Sequence, residues 1–110
     1  MQVDVRDDGG IVFIDPVGDI DGKTAPELQD TVLGLVKPLA RIVLNMGQVA
    51  FMSSAGLRSM LLIYRAAKAK DAKVVLVGIN KDIRSSMSAT GFLTFFVLCD
   101  NVQDAISEMG

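Results

Sequence analysis

The chain has 110 residues, of which 50% are hydrophobic and 22% are charged, and its formal net charge is -2. This composition fits one folded domain with an apolar core, and it lacks the basic surface that direct nucleic acid binding needs. Histidine is absent and Cys99 is the only cysteine, so the sequence offers no imidazole base, no disulfide and no zinc-type ligand set.

Neither a signal peptide nor a membrane-spanning segment is expected. The first eight residues lack a basic start and a continuous apolar core, and no apolar run approaches the ~20 residues of a membrane span. We therefore expect a small cytoplasmic, non-enzymatic domain without cofactor, metal or membrane insertion.

The N-terminal third predicts a β-hairpin followed by a helix. Residues 3–6 alternate in polarity, residues 7–10 (DDGG) form a turn, and a second strand runs to about Val17. Pro16 indicates an edge position or a bulge in that strand. After the loop 18–23, the segment TAPE (24–27) has capping-box spacing and predicts a helix over residues 25–37.

The centre of the chain is dominated by residues 49–57 (VAFMSSAGL), where an apolar run meets two serines, a small residue and a glycine. Two serines before an amphipathic pattern predict a helix N-terminus, since a hydroxyl oxygen can accept from the free N–H groups there. The same position would also stabilise a phosphate, because the positive end of the helix dipole points at it. The residues alone leave both interpretations open, a simple cap and a phosphate-bearing site.

The remaining segments predict alternating strands and helices. Short apolar runs at 41–45 and 73–78 are typical of buried strands, and the pattern at 57–67 is helical. Asn80 is expected to cap a short helix that ends at Gly91, residues 92–98 a last strand, and Asp100 or Asn101 the cap of a terminal helix. The predicted order is β-β-α-β-α-β-α-β-α, an α/β fold with a mixed, mostly parallel sheet of about five strands.

The polar residues do not assemble into a catalytic or metal-binding motif. Asp19 and Asp21 are the only paired carboxylates in a loop, and two carboxylates without further oxygen ligands make a weak metal site. Ser53 and Ser54 have no activating base, and an unactivated hydroxyl is a poor nucleophile. Cys99 is expected to be a small packed hydrophobe.

Two stretches together resemble the STAS domain of bacterial anti-sigma-factor antagonists. They are residues 18–28, with GDID and TAPEL, and residues 51–58 (FMSSAGLR), and the order of elements also resembles that family. The resemblance covers essentially the whole chain. It implies a regulator that binds a serine kinase acting as an anti-sigma factor, is released when that kinase phosphorylates it, and is restored by a PP2C-type phosphatase.

By position, the resemblance implies that Ser54 is the phosphoacceptor, with Ser53 as the rival site. The partner-binding surface that it implies comprises the helix start and the neighbouring loop: Asp19, Asp21, Ser53, Ser54, Gly56, Leu57 and Arg58. An alternative reading is a STAS accessory subunit of a membrane transporter ATPase that is never phosphorylated. Small-ligand or nucleotide binding is a third possibility with no dedicated motif behind it.

Overall fold

A computed structural model of the chain describes residues 1–109 and contains nine main elements in the predicted order. The strands are β1 (Gln2–Asp8), β2 (Ile11–Val17), β3 (Arg41–Asn45), β4 (Lys73–Val77) and β5 (Val97–Cys99). The helices are α1 (Ala25–Leu35), α2 (Ser54–Ala69), α3 (Lys81–Thr90) and α4 (Val102–Glu108). The prediction of a β-β-α-β-α-β-α-β-α fold is confirmed.

The five strands form one mixed sheet in the order β1-β2-β3-β4-β5. The β1–β2 hairpin is antiparallel, and the three remaining pairs are parallel. Helices α1, α2 and α3 therefore each carry the chain back to the end of the sheet at which the parallel strands begin. As a result, the loops that follow β2, β3 and β4 all leave from one end, where ligand and partner sites of α/β sheets usually lie.

Alternate residues of the central strands feed two cores on opposite faces of the sheet. Ile42 and Leu44 of β3 pack into the larger core together with residues of α1, α2 and α3. Val43 points to the other face, where a smaller core contains Ala105 of α4. Three helices thus cover one face and α4 covers the other, which is why β3 and β4 read as continuous apolar runs.

Several details differ from the sequence prediction. Asp7 and Asp8 belong to β1, so the hairpin turn consists of residues 9 and 10 alone, and α1 ends at Leu35 instead of residue 37. Pro16 is not on an edge strand, because β2 lies between β1 and β3; it is tolerated since the β2–β3 pairing ends at Ile14. The last strand begins at Val97 instead of Phe92, and residues 92–95 form a short 3-10 helix. That turn stacks Phe95 on Tyr64 of α2 at a ring-centroid distance of 4.8 Å, so aromatic packing overrides the apolar strand pattern.

Candidate functional site at the start of the central helix

The site is built from the β3–α2 loop (residues 46–53) and the β2–α1 loop (residues 18–24), which are held side by side. Ile20 and Met52 form an isolated parallel bridge between them. The amide of Ile20 donates to the carbonyl of Phe51 at 2.9 Å, and the amide of Ser53 donates to the carbonyl of Ile20 at 2.8 Å. The carboxylate-bearing loop therefore lies directly beside the two serines, as the resemblance implies.

The two serines have different roles at the start of α2. Ser53 is the N-cap, with an extended backbone, and its hydroxyl oxygen accepts from the amide of Gly56 at 3.4 Å. This distance is longer than an ordinary N–H···O bond, so the cap is weak. Ser54 is the first helical residue; its side chain is exposed and has no hydrogen-bond partner among residues 1–109.

The electrostatics of this helix start favour an added anion. The first turn of α2 contains no acidic residue, and Arg58 lies one turn beyond Ser54 with an exposed side chain. Residues four apart in a helix are neighbours on its surface. The dipole of α2 and the Arg58 guanidinium therefore both favour negative charge at Ser54.

Asp21 organises the neighbouring loop and the start of α1. One of its carboxylate oxygens accepts from the amides of Lys23 and Thr24 at 2.9 and 3.1 Å. The Thr24 hydroxyl completes the turn by donating to the carbonyl of Asp19. The amide hydrogen bonds from Lys23 and then Thr24 stabilise the charged form and hold the pKa of Asp21 below its usual value. Asp19 is exposed, and its side chain faces no hydrogen-bond partner within residues 1–109.

The predicted capping box at the start of α1 is wrong. Thr24 is the N-cap, but its hydroxyl makes no cap bond; it lies 2.7 Å from the carbonyl of Asp19 and accepts from the amide of Asp21. The Thr24 hydroxyl is held by its own loop, and the Asp21 carboxylate accepts from the Thr24 amide, which Glu27 would take in a capping box.

Gly56 and Leu57 are buried, whereas Arg58 is exposed. A Cβ on Gly56 would lie 2.5 Å from the Cγ of Met52 and 2.9 Å from the Cγ2 of Ile20. Glycine is therefore what lets the two loops pack against the first turn of α2. The close approach at this glycine is made by the protein's own loops.

A shallow groove of about 270 Å³ runs along the exposed side of the helix start. Ser54, Leu57, Arg58 and Leu61 of α2 form one wall, and Thr90 and Phe92 at the end of α3 form the other. Sequence reasoning missed Thr90 and Phe92 because they lie more than thirty positions from Ser54 along the chain. Gly91 between them, in the left-handed conformation at φ 79°, was the available signal that the chain turns sharply there.

Burial, followed by the nearby carboxylates of Glu108 and Asp104, raises the pKa of the Cys99 thiol, which disfavours the reactive thiolate. Within residues 1–109, no three His, Cys, Asp or Glu side chains come together as a metal site. In the same part of the chain, no helix combines the length and apolarity that crossing a bilayer requires.

The sequence matches the model of the STAS domain family over residues 2–105. The chain belongs to the STAS domain family. BtrV of Bordetella bronchiseptica, which is named as an anti-sigma factor antagonist, is 28% identical over 89 residues, covering 80% of this chain and 77% of BtrV. The structure of an anti-sigma factor antagonist from Mycobacterium paratuberculosis superposes with a TM-score of 0.86 at 25% identity, covering 98% and 92% of the two chains.

More distant STAS structures share the fold at lower identity. The phosphorylated form of the Bacillus cell-fate determinant SpoIIAA has a TM-score of 0.74 at 17% identity, covering 99% of this chain and 100% of that one. A sulfate transporter family protein from Wolinella succinogenes has a TM-score of 0.79 at 14% identity, covering 94% and 88%. The STAS fold therefore occurs in both regulators and transporters, and the fold alone does not select between them.

Proposed function

We propose that this protein is an anti-sigma-factor antagonist that is switched by phosphorylation of Ser54. In this proposal, the unmodified protein binds a cytoplasmic serine kinase that doubles as an anti-sigma factor. Phosphorylation of Ser54 by that kinase releases the complex, and a PP2C-type phosphatase restores the binding form. The observation that carries the proposal is the exposed Ser54 hydroxyl at the first position of α2, beside the Asp19–Asp21 loop.

The choice of Ser54 over Ser53 rests on what each hydroxyl does in the unmodified protein. A phosphate on Ser53 would remove the oxygen that accepts from the Gly56 amide. A phosphate on Ser54 disturbs no hydrogen bond of residues 1–109, and it gains the field of the helix N-terminus and the reach of Arg58. We therefore expect the modified domain to keep its fold.

Loss of partner binding then has an electrostatic cause. A phosphoserine carries about -1.5 to -2 charges. At the edge of the 270 Å³ groove, this charge adds to the exposed carboxylate of Asp19 and to that of Asp21. A partner surface that accepts a neutral hydroxyl there meets repulsion and a desolvation cost, and each ~1.4 kcal/mol lost lowers affinity about tenfold.

The docking surface in this proposal has an exposed part and a supporting part. Arg58, Ser54 and Asp19 are exposed and can contact a partner directly, while Leu57 lines the groove. Gly56 is buried and contributes by allowing the loops to pack. Ser53 and Asp21 hold the two loop ends in place.

The deciding experiment is mass spectrometry after incubation with ATP and serine kinases of the source organism. A single phosphate on Ser54 that is absent from Ser54→Ala and present on Ser53→Ala supports the proposal. A phosphate on Ser53 keeps the switch and moves its site. No phosphate with any kinase, together with co-purification of a transporter ATPase, favours the accessory-subunit alternative.

Binding tests the electrostatic part separately. Ser54→Asp is expected to weaken kinase binding by about tenfold or more, with an unchanged circular dichroism spectrum. Gln103→Glu is the matched control, because it adds one charge on α4, on the opposite face of the sheet. Unchanged binding of a folded Ser54→Asp protein would contradict the mechanism.

A further inference from the structure

Asn80 has two sets of hydrogen-bond partners in different parts of the chain. Its carbonyl oxygen Oδ1 accepts from the amide of Ile83 at 2.8 Å and thereby caps α3. Its Nδ2 group donates to the carbonyl of Ala50 at 2.9 Å and lies 3.4 Å from the carbonyl of Val49. One side chain therefore joins the start of α3 to the β3–α2 loop.

The chemistry of this link requires an amide. An acceptor faces an N–H group and a donor faces carbonyl oxygens, so the partners fix the orientation of the Asn80 amide. Serine or aspartate caps a helix as well as asparagine does. An ionised aspartate has no donor, so it can serve the Ile83 amide but not the Ala50 carbonyl.

The carbonyls that Asn80 holds have no other partner in the described chain. Within residues 1–109, neither Val49 nor Ala50 offers its carbonyl to a backbone N–H group. The next residues, Phe51 and Ser53, make the two hydrogen bonds with Ile20 that align the loops. Residues 50–52 of the loop and residues of α3 line an open pocket of about 230 Å³, so packing does not fill the whole of the junction between them.

We propose that Asn80 is a positioning residue for the Ser54 site, acting as a latch that fixes the β3–α2 loop against α3. With the latch closed, the Ile20–Phe51 and Ser53–Ile20 hydrogen bonds keep the carboxylate loop in register with the start of α2. With the latch open, the loop end moves and the groove beside Ser54 loses its defined shape. The effect of Asn80 on partner docking rests on the proposed function, whereas its effect on the order of the β3–α2 loop does not.

Native-state hydrogen exchange tests the latch on the full chain. In Asn80→Asp, exchange of the Ile20 and Ser53 amides is expected to accelerate about tenfold, because the Ala50 carbonyl loses its donor and faces a carboxylate instead. The Ile83 amide should remain protected by the retained cap. Asn101→Asp is the matched control, since Asn101 caps α4 through the Asp104 amide and its side chain makes no second hydrogen bond with residues 1–109.

Partner docking is measured on the same variants. Asn80→Asp is expected to weaken kinase binding and slow Ser54 phosphorylation about tenfold, and Asn101→Asp to change neither. Unchanged exchange at Ile20 and Ser53 in Asn80→Asp overturns the latch, whatever the kinase result. If Asn80→Asp does not fold, Asn80→Ala against Asn101→Ala makes the same comparison without a new charge. Accelerated exchange with normal docking overturns the positioning role. If the protein without any substitution neither binds the kinase nor is phosphorylated, the proposed function is overturned instead.

Discussion

The N-termini of α1 and α2 lie side by side in this protein, and they differ in their hydrogen bonding and in their charge. At α1, the Asp21 carboxylate takes up the amides of Lys23 and Thr24, and Glu27 adds a second acid in the first turn. At α2, a neutral serine makes one long bond of 3.4 Å, and the first turn has no acid. The N-terminus of α1 therefore already has carboxylates beside it, whereas the first turn of α2 has none.

This difference supplies the electrostatic basis of the proposed switch. The end of the α2 dipole stays available, so a phosphate on Ser54 finds an already favourable field inside its own chain. The closed start of α1 keeps the adjacent carboxylates in place, where they add to the charge that a partner meets. In the proposed switch, the loop before α1 carries a fixed negative charge, whereas the charge at the start of α2 depends on the phosphorylation of Ser54.

The largest expected effect comes from breaking the contact that joins the two helix starts. Gly56→Ala is expected to lower the free energy of unfolding by about 2 kcal/mol, because the new methyl group overlaps Met52 and Ile20. Gly34→Ala is the control within α1, where a Cβ meets nothing within 4 Å; it should stabilise by about 0.5–1 kcal/mol. Urea unfolding of both variants measures this, and equal effects would mean that the approach at Gly56 is not tight.

Much of this architecture was predictable from local signals. The apolar runs of β3 and β4, the two glycines of the hairpin turn and the cap at Asn80 specify their elements with neighbouring residues alone. The family and the position of Ser54 at the start of α2 followed from the FMSSAGLR stretch together with the GDID loop. Each of these signals depends on contacts between residues that are close in sequence.

Most of the failures come from contacts between residues that are far apart in sequence. The capping box at Thr24 is the exception, because its hydroxyl and amide are held by Asp19 and Asp21 of the same loop. The extended strand at Phe92 failed because the aromatic rings stack against Tyr64 on a different helix. The second wall of the groove and the second bond of Asn80 depend on contacts between residues thirty or more positions apart, which periodicity does not register.

A smaller effect is expected from opening the start of α1. The pKa of Asp21 is lowered by folding, so its stabilisation is present above the unfolded value of about 3.9 and is lost as the pH falls through the folded value. Asp21→Asn should therefore be less stable than the unsubstituted protein at pH 7, and the difference should shrink toward pH 3. Urea midpoints of the variant and the parent protein across this range measure it, and a difference that stays constant down to pH 3 would contradict the role of the Asp21 charge.

The smallest effect is expected at the serines themselves. Ser53→Ala removes only a 3.4 Å cap bond and should cost about 0.5 kcal/mol, the low end for a lost N-cap. Ser54→Ala should change stability by less than about 0.5 kcal/mol, since the hydroxyl is exposed and alanine suits the first turn. Asn101→Ala, which loses a 2.9 Å cap bond, serves as the reference at about 1 kcal/mol. A loss at Ser53 as large as that at Asn101 would mean that the start of α2 is as firmly capped in solution as the other helices, and the contrast with α1 would then rest on charge alone.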